Sequence, residues 1–158
     1  VVGAAQRAVL FAYGVVAEET PVEETAVEPT YTVSETLTRP VPGEVMTEFS
    51  DTPVYSETMR DYRVHAGTDY TAAHGETVHA CANGIVKETH TDMLRGNMIV
   101  IEHGDYEVRY CGLGETFLVH EGDVVTAGQD IGSVTAAPFE SALDSHLHIE
   151  VTRNGEPV

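Results

Sequence analysis

The sequence predicts a mainly β domain built on antiparallel sheet, and three observations carry that expectation. Short alternating apolar runs recur from Val45 to Thr152, the pattern of strands with one buried face. Gly, Asp and Asn interrupt these runs at close intervals, as tight turns require. No part of this region sustains an amphipathic helical period over about a dozen residues.

The elements follow in order. Residues 1–17 form an apolar N-terminal piece, with Val9–Ala17 too short to span a bilayer. It reads as the tail of a membrane anchor or as a docking helix. A first residue other than Met suits a processed or truncated piece. Residues 18–38 open with Glu18–Glu28, acidic and interrupted by Pro21, and read as an acidic flexible linker unable to bury enough apolar surface to order itself. The domain occupies 39–158, starting at Arg39-Pro-Val-Pro-Gly43.

Within it, the strands expected are Val45–Phe49, Thr77–Ala80, Gly84–Thr89, Met98–His103, Glu107–Tyr110, Asp130–Val134 and His146–Thr152. Phe117–Val119 fits a turn of helix or another strand. Turns are expected at Ala82-Asn-Gly84, Arg95-Gly-Asn97, His103-Gly-Asp105, Glu121-Gly-Asp123 and Arg153-Asn-Gly155. Gly75–Val86 and Glu121–Gly132 share one layout: a Gly turn, an apolar pair, a second turn, another apolar pair. Such paired motifs build a barrel-sandwich hybrid.

A chain of 158 residues fits one domain plus an appendage, and 42% apolar residues suffice for a core. A net charge of −18 repels phosphates and so argues against nucleic acid, and against docking to anionic lipid through surface charge. Cys81 and Cys111 are too few for a disulfide framework. They fit one bridge or two buried thiols.

Chemistry concentrates in two motifs, His65-Ala-Gly-Thr-Asp69 and His146-Leu-His148. Catalytic zinc takes three protein ligands of nitrogen or carboxylate type and leaves a fourth position open. His65 and Asp69 can converge if Gly67 lets the backbone turn tightly. On a strand, His146 and His148 project from one face. The expected zinc ligands are therefore His65, Asp69 and His148, with His146 standing beside them. His103 and the remaining histidines read as structural or solvated.

With those motifs in place the chain resembles the lysostaphin/LytM-type zinc metallopeptidases of bacterial cell walls. The resemblance also rests on Gly75-Glu-Thr-Val78, Ala82–Val86, Gly96-Asn97, Ile101–Gly104, Tyr110–Leu113, Glu121–Val124, Gly128–Gly132 and His146–Glu150. It covers roughly Arg39–Val158. It implies an antiparallel β core, a Zn2+ ion on His65, Asp69 and His148, and cleavage of peptide bonds in peptidoglycan. It also implies two proton-handling histidines. One falls on His146. The other belongs to a Tyr-x-His-Leu motif, where this chain has Tyr110-Cys-Gly-Leu113, so Gly112 stands at its position. Losing a general acid or base costs roughly 10²- to 10⁴-fold in rate, and losing an oxyanion donor costs about 2.7–4 kcal/mol. The domain is expected to be catalytically impaired, and activity appearing only in Gly112→His would identify the missing group.

Arg39–Gly43 and Tyr55–His65 also resemble a degenerate subgroup of this family, the stage II sporulation proteins Q. That subgroup implies a forespore-membrane protein with an N-terminal anchor. Its extracytoplasmic domain would bridge forespore and mother cell by binding SpoIIIAH during engulfment.

Overall fold

The computed structural model describes residues 30–158. The expectations for 1–17 and for 18–29 lie outside the described residues.

The strands are β1 (Val45–Thr47), β2 (Ser50–Ser56), β3 (Asp61–His65), β4 (Thr68–Thr71), β5 (Thr77–His79), β6 (Gly84–Asp92), β7 (Gly96–His103), β8 (Tyr106–Leu113), β9 (Val124–Val125), β10 (Asp130–Ser133), β11 (His146–Arg153) and β12 (Glu156–Pro157). A single 3-10 turn, Pro138–Glu140, is the one helical element among the described residues. The main sheet runs β9-β6-β7-β8-β11-β4-β1, with β12 paired to β11, and every pairing is antiparallel. Two ribbons stand apart from it, β5 with β10 and β2 with β3.

The repeated motif explains part of this arrangement. The first strand of one copy, β5, pairs with the second strand of the other, β10. Reciprocally, β9 pairs with the start of β6, Val124 opposite Ile85 and Val125 opposite Gly84. Each copy thus completes the other, and Val78, Val86, Val125 and Ile131 meet in one core with Ile99, Ile101, Val108, Tyr110 and Leu147. The fold is mainly β with a lysostaphin-like arrangement, as the sequence predicts.

All seven expected strands are present with ends shifted by a few residues. Five more appear: β2, β3, β4, β9 and β12. The β2–β3 ribbon is exposed on both faces, so its sequence has no alternation to read. Phe117–Val119 is neither helix nor strand. It is an irregular stretch pinned by the Leu118 amide, which donates to Ile131 O at 3.0 Å.

Residues 30–38, grouped by composition with the linker, lie against the domain. The Gly104 amide donates to Tyr31 Oη (2.8 Å), the Asn83 amide to Ser34 Oγ (3.0 Å) and the Thr38 amide to Cys81 O (2.7 Å). Leu37 packs on the core. Polar composition hid this because the segment is held mostly by hydrogen bonds. Cys81 and Cys111 are both free and buried.

Candidate functional site

Strand alternation separates core from site along β11. Leu147 and Ile149 point into the core, while His146, His148 and Glu150 line the opposite face. The neighbouring strand β4 sets Asp69 directly across from His148, and β3 ends at His65. The structure thus brings together all four residues expected from the sequence: His65, Asp69, His146 and His148. All are buried, Asp69 completely.

Gly67 is required, though not for a turn. A Cβ there would lie 2.2 Å from Ile149 O and 2.7 Å from the His148 ring. The glycine lets the link between β3 and β4 pass under β11, and so brings the two motifs into contact.

A fifth residue joins them. Glu140, at the end of the 3-10 turn, is buried, with Oε2 2.9 Å from His65 Nε2 and Oε1 3.0 Å from His148 Nδ1 and 3.1 Å from His146 Nε2. Sequence reasoning does not find this carboxylate, since Glu140 belongs to neither histidine motif.

Hydrogen bonds behind the cluster fix which ring nitrogens face inward. His65 Nδ1–H donates to Glu48 O (2.8 Å), leaving Nε2 toward Asp69 and Glu140. His148 Nε2–H donates to Glu150 Oε2 (3.2 Å), leaving Nδ1 toward Asp69 Oδ1 (2.7 Å). Glu150 is in turn held by Arg95 Nε at 2.8 Å. Carboxylate and carbonyl partners of this kind orient histidines for metal binding.

With no cation, these groups must hold protons. Burial opposes the imidazolium at His65 and His148, but the Asp69 and Glu140 carboxylates outweigh it, raising His65 to about 10 and His148 to about 11. His146 is likewise raised: burial opposes it and Glu140 holds the proton. Asp69 and Glu140 are lowered against their own burial by the facing histidines.

One atom asks for more than protons. Asp69 Oδ2 is fully buried and makes no hydrogen bond, although His65 Nε2 is 3.2 Å away. An orphaned carboxylate oxygen in such a place is costly. A dication answers it, and the donor set suits zinc: imidazole nitrogens and carboxylate oxygens converging within 4.8 Å of one another. His65, Asp69 and His148 fit that ion.

The position of the expected second proton-handling histidine is closed to a side chain. Gly112 has φ +67°, and a Cβ there would meet Ala137 N at 2.5 Å and Ala136 C at 2.9 Å. Cys111 lies near His148 and Glu150, but burial pushes its thiol well above the usual range, which disfavours the reactive thiolate.

A β-sheet domain with a buried histidine–carboxylate cluster that could hold a metal ion on one sheet face has the layout of metallohydrolase-type domains. More narrowly, residues 63–158 match the model of peptidase family M23, and the chain belongs to that family. It is 36% identical over 95 residues to the peptidoglycan DD-endopeptidase ShyA of Vibrio cholerae, a match covering 60% of this chain and 21% of that protein. The chain therefore spans about a fifth of that relative's length. A zinc-containing peptidase from Vibrio cholerae superposes with TM-score 0.67 at 28% identity, over 78% of this chain and 38% of that one. A chain of the SpoIIQ–SpoIIIAH pore-forming complex superposes with TM-score 0.66 at 21% identity, over 78% of this chain and 87% of that one, a likeness of fold.

Proposed function

We propose that this chain is a zinc-binding M23 domain whose site no longer turns over substrate efficiently and whose role is to bind. His65, Asp69 and His148 hold the ion, with His146 beside it as the surviving proton-handling residue. When bound, zinc supplies Lewis-acid activation of water and of a peptide carbonyl. A residue to share His146's proton work is what the site lacks. The observation that carries this reading is Gly112, a position closed to any side chain by the backbone of Ala136–Ala137.

Among non-catalytic roles, a sporulation role fits the fold best. The chain would be the extracytoplasmic part of a forespore-membrane protein, bridging to the mother cell through a SpoIIIAH-like partner. The SpoIIQ likeness supports it, as does the exposed β2–β3 ribbon, whose open edges suit strand addition. Among the described residues no helix is long and apolar enough to cross a membrane. Activation of a separate wall hydrolase would need the same impaired site.

The second reading is an active zinc endopeptidase of peptidoglycan cross-links, favoured by the 36% identity to a DD-endopeptidase. One sample decides between them. Bound zinc and peptidoglycan release are measured together, alongside capture by a SpoIIIAH ectodomain. Stoichiometric zinc, negligible release and capture are expected. Robust release abolished by His146→Ala would establish the endopeptidase instead.

A further inference from the structure

Catalytic zinc sites differ from structural ones in one respect: a position left to water. Here a fourth side chain, Glu140, stands among the three expected ligands. Zinc bonds of about 2.0–2.1 Å set tetrahedral ligands about 3.3 Å apart. Asp69 and Glu140 each bridge the two histidines through their two oxygens, His65 Nε2 lying 3.2 and 2.9 Å and His148 Nδ1 2.7 and 3.0 Å from them, and one donor atom from each of the four residues falls within 4.8 Å of the others, close enough for a single ion to gather. We infer that Glu140 is a fourth zinc ligand supplied by the domain itself, and that it converts an open hydrolytic site into a closed structural clamp. The inference rests on the zinc-binding reading above.

Charge agrees with this assignment. Two carboxylates and two neutral imidazoles sum with a dication to zero charge, and coordination gives the buried Glu140 carboxylate the partner that a buried charge needs.

The loop that delivers Glu140 is anchored rather than poised. Thr135 N–H donates to Gly112 O (2.8 Å), Phe139 N–H to Leu94 O (3.0 Å) and Ala142 N–H to Thr58 Oγ1 (2.9 Å). Pro138 begins the 3-10 turn with its φ already fixed. Phe139 sets its ring edge-on to His148, centroids 5.0 Å apart. The path of this loop also explains Gly112. Ala136 and Ala137 run through the volume that any side chain at 112 would need. The same loop therefore closes position 112 to a side chain and carries Glu140.

The test uses the full chain, as wild type, Glu140→Gln and Glu140→Ala, with zinc affinity measured by chelator competition. Cobalt(II)-substituted protein is also titrated with acetohydroxamate, which shifts the visible spectrum where a coordination position is open. The wild-type spectrum is expected to stay unchanged, while Glu140→Ala shifts saturably and loses zinc affinity by roughly 100-fold or more, beyond the 10- to 100-fold cost of an outer partner. Glu140→Gln keeps the side chain's shape, so circular dichroism of its metal-free form separates ligand loss from misfolding. A wild-type spectrum that shifts, with affinity unchanged in Glu140→Gln, overturns the fourth ligand while zinc binding stands. Wild type without stoichiometric zinc overturns both.

Discussion

Gly112 and Ala137 share a space that admits no side chain: a Cβ on Gly112 would lie 2.5 Å from the Ala137 amide nitrogen, at a φ of +67°. This limits Gly112→His as a way to identify a missing catalytic group, because the position has no room for the ring. The substitution brings a left-handed backbone penalty of about 1–2 kcal/mol and an overpacking cost of about 1–3 kcal/mol. Gly112→His is expected to lower the urea midpoint and to release no more peptidoglycan than wild type. Turnover appearing without loss of stability would show that the loop 136–140 yields.

Gly67 fails under substitution for a different reason. Its neighbours are Ile149 O and the His148 ring, both fixed within β11. Gly67→Ala must push the β3–β4 link away from β11, separating His65 and Asp69 from His148. Overpacking costs typically about 1–3 kcal/mol. Zinc affinity is expected to fall along with stability, read by chelator competition and a denaturant midpoint on the same protein.

These two glycines mark what the sequence could and could not reveal. The meeting of the two motifs was legible in part: His146 and His148 sit two apart on one strand face, whereas β4, which sets Asp69 opposite His148, was not among the expected strands. Glu140 was out of reach because nothing in a loop sequence says which way a carboxylate turns. That direction is set by contacts to Gly112, Leu94 and Thr58, distant in the chain. The β2–β3 ribbon was hidden for want of a buried face, and segment 30–38 because hydrogen bonds rather than apolar residues hold most of it.

The partners behind the site should matter nearly as much as the ligands. Glu150 accepts from His148 Nε2 and is itself tied to Arg95. Glu150→Gln removes the charge that fixes the ring's orientation. Zinc affinity is expected to fall about 10- to 100-fold, with the metal still stoichiometric at high zinc. No change by chelator competition would mean that packing alone, such as Phe139 against the ring, sets His148.

Zinc should act on folding itself, since the site joins the strands of 65–69 to the segment of 140–148. A ligand that binds only the folded state at about 100 times its Kd adds about 2.7 kcal/mol of stability. Metal removal is expected to lower the melting temperature, and readdition to restore it. His65→Ala should melt at the same temperature with or without zinc. An unchanged wild-type melting temperature after verified metal removal would deny the clamp its structural role.

Far from the site, His103 gives the domain a separate acid sensitivity. Its Nδ1–H donates to Asn83 O (3.1 Å), and Nε2 accepts from Tyr110 Oη (2.9 Å), which accepts from the Cys81 amide (2.9 Å). The ring is neutral in this chain of bonds, and burial holds its pKa below the ordinary 6.5. The unfolded chain, with the ordinary value, therefore takes up a proton first as pH falls. Stability from this group is complete above about pH 6.5 and is lost as pH drops toward the folded value. His103→Gln removes the titration, so the stability difference between wild type and variant should shrink on acidification from neutral pH. Because the zinc-site histidines are common to both proteins, the difference isolates His103. Urea midpoints measured in parallel from pH 7.5 to pH 5 read it directly, and a difference independent of pH would place the proton elsewhere in the network.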